Sequence, residues 1–234
     1  MTSIISIILL FFLLQIISSI LINKSIVNNT ISMCINKIYD LAETGDIIYF
    51  RWHTIDIDHE IISPFTHIGM IIVIENIKYI IETHLAGDTS NIGVLTGGVN
   101  LYPLKLRINN YEGYTFLSKL NQINRPTDID VQDFITKIKD YKQNIPFQND
   151  YKGYFINNCL AKRVLSIEPE KTQEMFCSEF IGFCLNELNI TNNDFNFKCL
   201  VPIDFRYIKL NNQLLYRDLI KIIKSNNLNN LNNL

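Results

Sequence analysis

Cys177 stands in "MFCSEFIGFCLNEL" where the apolar spacing becomes helical, on one stripe with Ile181, Cys184 and Leu188. Its thiol therefore faces protein rather than water. A cysteine so placed is either a small buried hydrophobe or a nucleophile, because the free amides and dipole of a helix start stabilise a thiolate. A nucleophilic thiol needs a base within hydrogen-bond reach and a third group that holds the base in the right tautomer. Both must come from elsewhere in the chain.

They are found in "HIGMIIVI" and "IKYIIETH", two β-rich runs separated only by Glu75 and Asn76. A two-residue link containing Asn suits a hairpin whose turn needs positive φ. Antiparallel pairing about that turn sets Ile74 opposite Ile77, Gly69 opposite Glu82 and His67 opposite His84, so His67, Glu82 and His84 share one face. A carboxylate in an apolar strand is costly unless paired. Glu82 is thus expected to accept a hydrogen bond from the His67 imidazole across the diagonal, with room left by Gly69. The expected roles are Cys177 as nucleophile, His67 as base and Glu82 as the orienting carboxylate. His84, opposite His67 at the strand end, is expected to matter less. A one-residue slip of register would turn Glu82 and His84 away.

A metal hydrolase built from His53, His59, His67 and His84 is the rival chemistry, but His53 and His59 sit in a loop and no HExxH-like helix exists. No cofactor is implied. Lys+Arg 21 against Asp+Glu 23 gives a formal net charge of -2 with no basic patch, which disfavours nucleic acid as a partner. Cys34, Cys159, Cys177, Cys184 and Cys199 are odd in number and form no CxxC, so neither a disulfide scaffold nor a zinc ribbon is expected.

The elements that must position these groups follow from the chain's punctuation. "GDIIYFRW" reads as a strand after a Gly turn, "HTIDIDHEIISPF" as an acidic loop, and "AGDTSNIGVLTGGVN" as a glycine-rich loop after the hairpin. "LYPLKLRI" and "EGYTFLSKL" read as further strands, "DIDVQDFITKIKDYKQN" as a helix, and "CLVPIDFRYIKL" as a late strand closing the sheet. Upstream, Ile4 to Ile22 is apolar except for Ser6, Gln15, Ser18 and Ser19. As a helix it rises about 28 Å, near a bilayer core of about 30 Å. With no Lys or Arg before Ile4, an uncleaved anchor is favoured over a cleaved signal peptide. Lys24 and Lys37 weakly favour a cytoplasmic domain, whereas the acceptor triplets at Asn23, Asn28 and Asn189 point to a lumenal one. The expected organisation is an anchor or signal segment at 1–23, a spacer at 24–42 holding a short amphipathic helix, a domain at 43–210, and an Asn/Leu-rich low-complexity tail at 211–234.

"TGDIIYFR", "FTHIGMII", "YIIETH", "FCSEFIGFCL" and "LVPIDF", in that order, resemble the permuted NlpC-type papain-like family, its YiiX-like branch in particular. The resemblance spans roughly Glu43 to Tyr207 and implies an α+β, circularly permuted papain-like domain with an antiparallel sheet and a nucleophile-bearing helix. It also implies thiol chemistry on an amide or ester bond, with the nucleophile at Cys177, the base at His67 and the third polar residue at Glu82. The related lecithin retinol acyltransferase branch carries its nucleophile in an "NC" motif, so "NNCL" makes Cys159 a rival; Cys159 lacks the helix-start context. The substrates implied are a peptide, a peptidoglycan cross-link or a lipid acyl ester. The expected location is a single-pass membrane, or outside the cell if the leader is cleaved, with a virion or host membrane among the candidates. An inactive member serving as an interaction or structural protein is the alternative.

Overall fold

The computed structural model describes residues 21, 25, 30–53, 63–84, 89–90, 93–94, 98–144, 175–191 and 195–224. Its strands are β1 (Ile31–Cys34), β2 (Ile47–Trp52), β3 (His67–Ile74), β4 (Ile77–His84), β5 (Thr89–Ser90), β6 (Gly93–Val94), β7 (Gly98–Pro103), β8 (Gly113–Leu120), β9 (Lys209–Leu210), β10 (Gln213–Leu214) and β11 (Tyr216–Ile223). Seven of them form one sheet in the order β1-β11-β8-β2-β3-β4-β7. Every pairing in it is antiparallel except β1 with β11.

Both faces of this sheet are covered, which is why β2 and β3 read as unbroken apolar runs rather than as alternation. On one face Ile47, Tyr49, Ile68, Met70, Ile81 and Phe116 pack under α3 (Asp128–Asn144) and α4 (Cys177–Glu187). On the other, Ile48, Phe50, Ile71, Ile80 and Leu117 pack under α1 (Ile35–Leu41) and α2 (Leu104–Asn110). The mixed α+β class expected from the sequence is the class observed.

The β3–β4 turn forms as its residues require, with φ of 50° at Glu75 and 65° at Asn76. The ladder runs from Ile74↔Ile77 to Met70↔Ile81. At the head of β2, Gly45 has φ +91°, and a Cβ there would meet Leu120 Cδ2 at 2.7 Å. The neighbouring Asp46 carboxylate accepts from the Leu120 amide and from Arg125, tying the start of β2 to the end of β8.

Several expectations are corrected. "LYPLKLRI" is not one strand: β7 stops at Pro103 and a helix follows, burying Leu104, Arg107 and Ile108 while Leu106 is exposed. That is helical spacing. "CLVPIDFRYIKL" does not close the sheet; it forms a 3-10 turn at Pro202–Arg206 and then β9, which pairs only with the short β10. The strand that joins the sheet is β11, inside the stretch that composition assigned to the tail, and β1 comes from the presumed spacer. The single-pass membrane location is also corrected, since no helix among the described residues is long and apolar enough to cross a membrane. The apolar run at 4–22 lies outside the described residues apart from Leu21, as does the "NNLNNLNNL" repeat.

Candidate active site

Glu82 is the centre of the site. Its carboxylate is fully buried, on the sheet face that α2 covers. Oε2 lies 2.7 Å from His67 Nε2. Oε1 accepts from Arg107 Nε at 2.5 Å, and Arg107 Nη2 donates to Oε2 at 3.4 Å. His84 Nε2 is 3.1 Å from Oε1, an ion-pair distance without a hydrogen bond, and its ring stacks on His67 with centroids 4.9 Å apart. Burial works against ionisation of Glu82. His84, Arg107 and the His67 hydrogen bond outweigh it, holding the carboxyl well below the usual carboxylate range. Burial also dominates at His67, keeping its pKa below the usual value despite Glu82, so the imidazole is neutral near neutral pH.

Gly69 makes this crowding possible. A Cβ on Gly69 would meet Ile80 Cγ2 at 2.5 Å and Glu82 Cβ at 3.4 Å. The face-sharing of His67, Glu82 and His84, the diagonal bond from His67 to Glu82, and the space at Gly69 are all as the hairpin spacing predicts.

Cys177 approaches from the other side of the sheet as the first residue of α4, packed on the Ile68 and Met70 core. The β3–β4 ladder ends at Met70↔Ile81, while β4 continues along β7 to His84↔Gly98. By the alternation of the ladder, the next amide to face β4 is that of Ile68. That amide and the Ser178 amide favour the Cys177 thiolate. Burial nevertheless pushes the thiol up to about 12, with the Glu82 and Glu179 carboxylates adding to the rise. The helix start is present, but it does not produce a thiolate. Among the described residues no hydrogen bond joins Cys177 to His67, and His67 Nδ1 makes none; the thiol packs against the core that holds Ile68, the residue after His67.

Two buried charged neighbours of the candidate site escape the sequence reading. Arg107 is buried against Glu82, with its guanidinium over the Phe50 ring at 4.6 Å. Glu179, also fully buried, clamps the start of α4: Oε2 accepts from the Phe176 amide at 3.3 Å and Oε1 from the Cys199 amide at 2.7 Å. Glu at the third helical position is the one signal for this, since such a residue reaches back to the helix cap. Cys199 itself is disulfide-bonded, whereas Cys34, Cys177 and Cys184 are free.

Of the rival metal set, His53 lies past the end of β2 against Tyr114, away from the others. His59 and Cys159 lie outside the described residues. His67, Glu82 and His84 do bring one ligand atom each within 4.8 Å of one another. Arg107, however, already delivers a positive charge to that carboxylate at 2.5 Å.

No protein-family model matches the chain, and no curated protein matches it. Among solved structures it is similar to the metalloprotein yiiX from Escherichia coli O157:H7, at 15% identity over 79% of this chain and 90% of that one, with a TM-score of 0.40.

Proposed function

We propose that the chain is a cysteine-dependent hydrolase or acyltransferase of amide or ester bonds, a permuted papain-like domain in which the histidine strand precedes the cysteine helix. One juxtaposition supports this reading above the rest. The His67 imidazole is tied through Nε2 to Glu82, with no bond to Nδ1 among the described residues, and Cys177 packs against the core that holds Ile68, one residue along.

A protonated thiol and a neutral imidazole imply that the proton moves during attack rather than before it. The Cys177 Sγ–H proton passes to His67 Nδ1 as sulfur bonds to the carbonyl carbon, and the carbonyl electron pair moves onto oxygen. Amides of the first turn of α4 have no intrahelical acceptor and are placed to stabilise that oxyanion. Collapse expels the amine or alcohol, which takes the proton from His67. Water, or an acceptor hydroxyl or amine, then attacks the thioester, gives its proton to Nδ1, and the thiol leaves with that proton. Throughout, Glu82 accepts from Nε2–H and balances the imidazolium. The substrate class is a peptide or isopeptide amide, a peptidoglycan cross-link or a lipid acyl ester.

The competing metal reading rests on the three ligand atoms within 4.8 Å. A divalent ion there would sit beside the Arg107 guanidinium, two like charges in a dry site, which is why the thiol reading is preferred.

p-Nitrophenyl acetate tests both readings on the full chain. An acetyl adduct on Cys177, seen by intact mass and lost in Cys177→Ala and His67→Ala, is expected, with no effect of a chelator. No adduct would favour an inactive interaction protein. Turnover that survives Cys177→Ala and is abolished by the chelator would favour a metal hydrolase.

A further inference from the structure

We infer that Arg107 is a positioning residue of this site, dictating which nitrogen of His67 carries the proton by holding Glu82 as a pure hydrogen-bond acceptor. This rests on the thiol reading above only for its consequence in catalysis; the tautomer itself can be read without any reaction.

The geometry assigns one carboxylate oxygen to each partner. Oε1 takes Arg107 Nε at 2.5 Å and Oε2 takes His67 Nε2 at 2.7 Å. A guanidinium can only donate, so the atom facing it must be an acceptor. Its second nitrogen, Nη2, reaches Oε2 at 3.4 Å, so the carboxylate is gripped across both oxygens. Among the described residues the remaining nitrogen, Nη1, is buried without a hydrogen-bond partner, and the side-chain bonds of the guanidinium there go to Glu82. Phe50 completes the assembly, with its ring 4.6 Å from the guanidinium and 5.3 Å from the His67 ring.

The chemistry follows from what a buried carboxyl does without this partner. Burial favours the neutral acid, and a neutral acid can donate its proton to His67 Nε2. The imidazole would then carry its own proton on Nδ1, the nitrogen that must accept from Cys177. With Arg107 in place, Glu82 accepts, Nε2 keeps the proton and Nδ1 keeps its lone pair. The groups facing Glu82 are His67 from β3, His84 from its own strand, Arg107 from α2, and the Cys177 thiol from the α4 side.

Long-range proton–nitrogen NMR on the full chain with labelled histidine reads the tautomer at a pH where His67 is neutral. Wild type and Arg107→Lys should both show Nε2–H. Arg107→Gln should shift His67 toward Nδ1–H and slow acetylation of Cys177 about a hundredfold, the scale of a lost general base. A folded Arg107→Gln chain that keeps Nε2–H overturns the inference and leaves Arg107 a structural ion pair. Should Arg107→Gln fail to fold, Glu82→Gln decides. Arg107 would claim the new amide oxygen and turn the NH2 toward His67, flipping the imidazole to Nδ1–H. Retention of Nε2–H in Glu82→Gln shows that Arg107 does not dictate the orientation and refutes the inference. If the tautomers behave as expected but wild-type Cys177 is never acylated, it is the thiol reading that fails.

Discussion

Replacing Arg107 by Met should expose how much the ion pair beneath α2 matters. Met roughly fills the volume of the side chain and keeps its apolar contact with Phe50, but strands a fully buried carboxylate. Removing one partner of a buried pair costs about 3–5 kcal/mol, against a total of about 5–15 kcal/mol for a typical domain. His67, which already bonds Glu82, can recover part of that, so the lower end is expected at neutral pH. The cost should shrink in acid. In the wild type the Glu82 pKa lies well below its usual 4.5, so its contribution is complete above that value and is lost as the pH falls below it. Without the guanidinium, burial raises the Glu82 pKa, the folded variant binds that proton earlier, and its stability falls less steeply with acid. Urea unfolding of wild type, Arg107→Met, Glu82→Met and the double variant, at neutral pH and near pH 4.5, measures the coupling directly. The double variant should regain most of the loss, because two apolar side chains leave no buried charge. A single-variant cost under about 1 kcal/mol at neutral pH, or one that does not change with pH, would show that Glu82 is not an ionised partner of Arg107.

The Cys177 thiol, pushed up to about 12, should react with iodoacetamide more slowly at neutral pH than an ordinary cysteine, its rate still climbing at the highest pH the fold tolerates; a plateau below pH 8.5 would mean that the thiolate forms readily. Gly69→Ala should cost about 1–3 kcal/mol by overpacking against Ile80 and Glu82, and should lower acetylation of Cys177 as well; a neutral effect on both would show that the hairpin yields there. Reduction of the disulfide at Cys199 should destabilise the fold by about 2–5 kcal/mol and loosen the Cys199 amide from Glu179, read as faster hydrogen exchange at Phe176 and Cys199; unchanged exchange would uncouple the bond from the helix start.

The hairpin was legible because a single feature controls it. A two-residue turn whose residues accept positive φ leaves one register, and register decides which side chains share a face. Arg107 was hidden by the opposite circumstance. In "LKLRI" the apolar residues alternate, which places Lys105 and Arg107 together on a wet strand face. Wound as a helix after Pro103, the same residues send Arg107 inward with Leu104 and Ile108 and leave Leu106 exposed. The start of α4 was legible from apolar period, but the protonation of its thiol depends on the depth of packing over Ile68, which no local pattern carries. Strand β11 went unseen because its apolar residues adjoin an Asn/Leu repeat that dominates the composition of that end.

The lone parallel pairing of the sheet bears on how this chain is made. Strand β8 has β2 on one side and β11 on the other, and β1 attaches only through β11. During synthesis β2, β3, β4, β7 and β8 emerge and can pair while β8 still shows an open edge. That edge is closed by β11, made after it, and only then can the earlier-made β1 dock beside β11. Such long-range closure is slow, and an exposed edge recruits other strands while it waits. A ribosome paused, or a chain clipped, just before Tyr216 would leave the half of the sheet that carries His67 and Glu82 assembled and its flank adhesive.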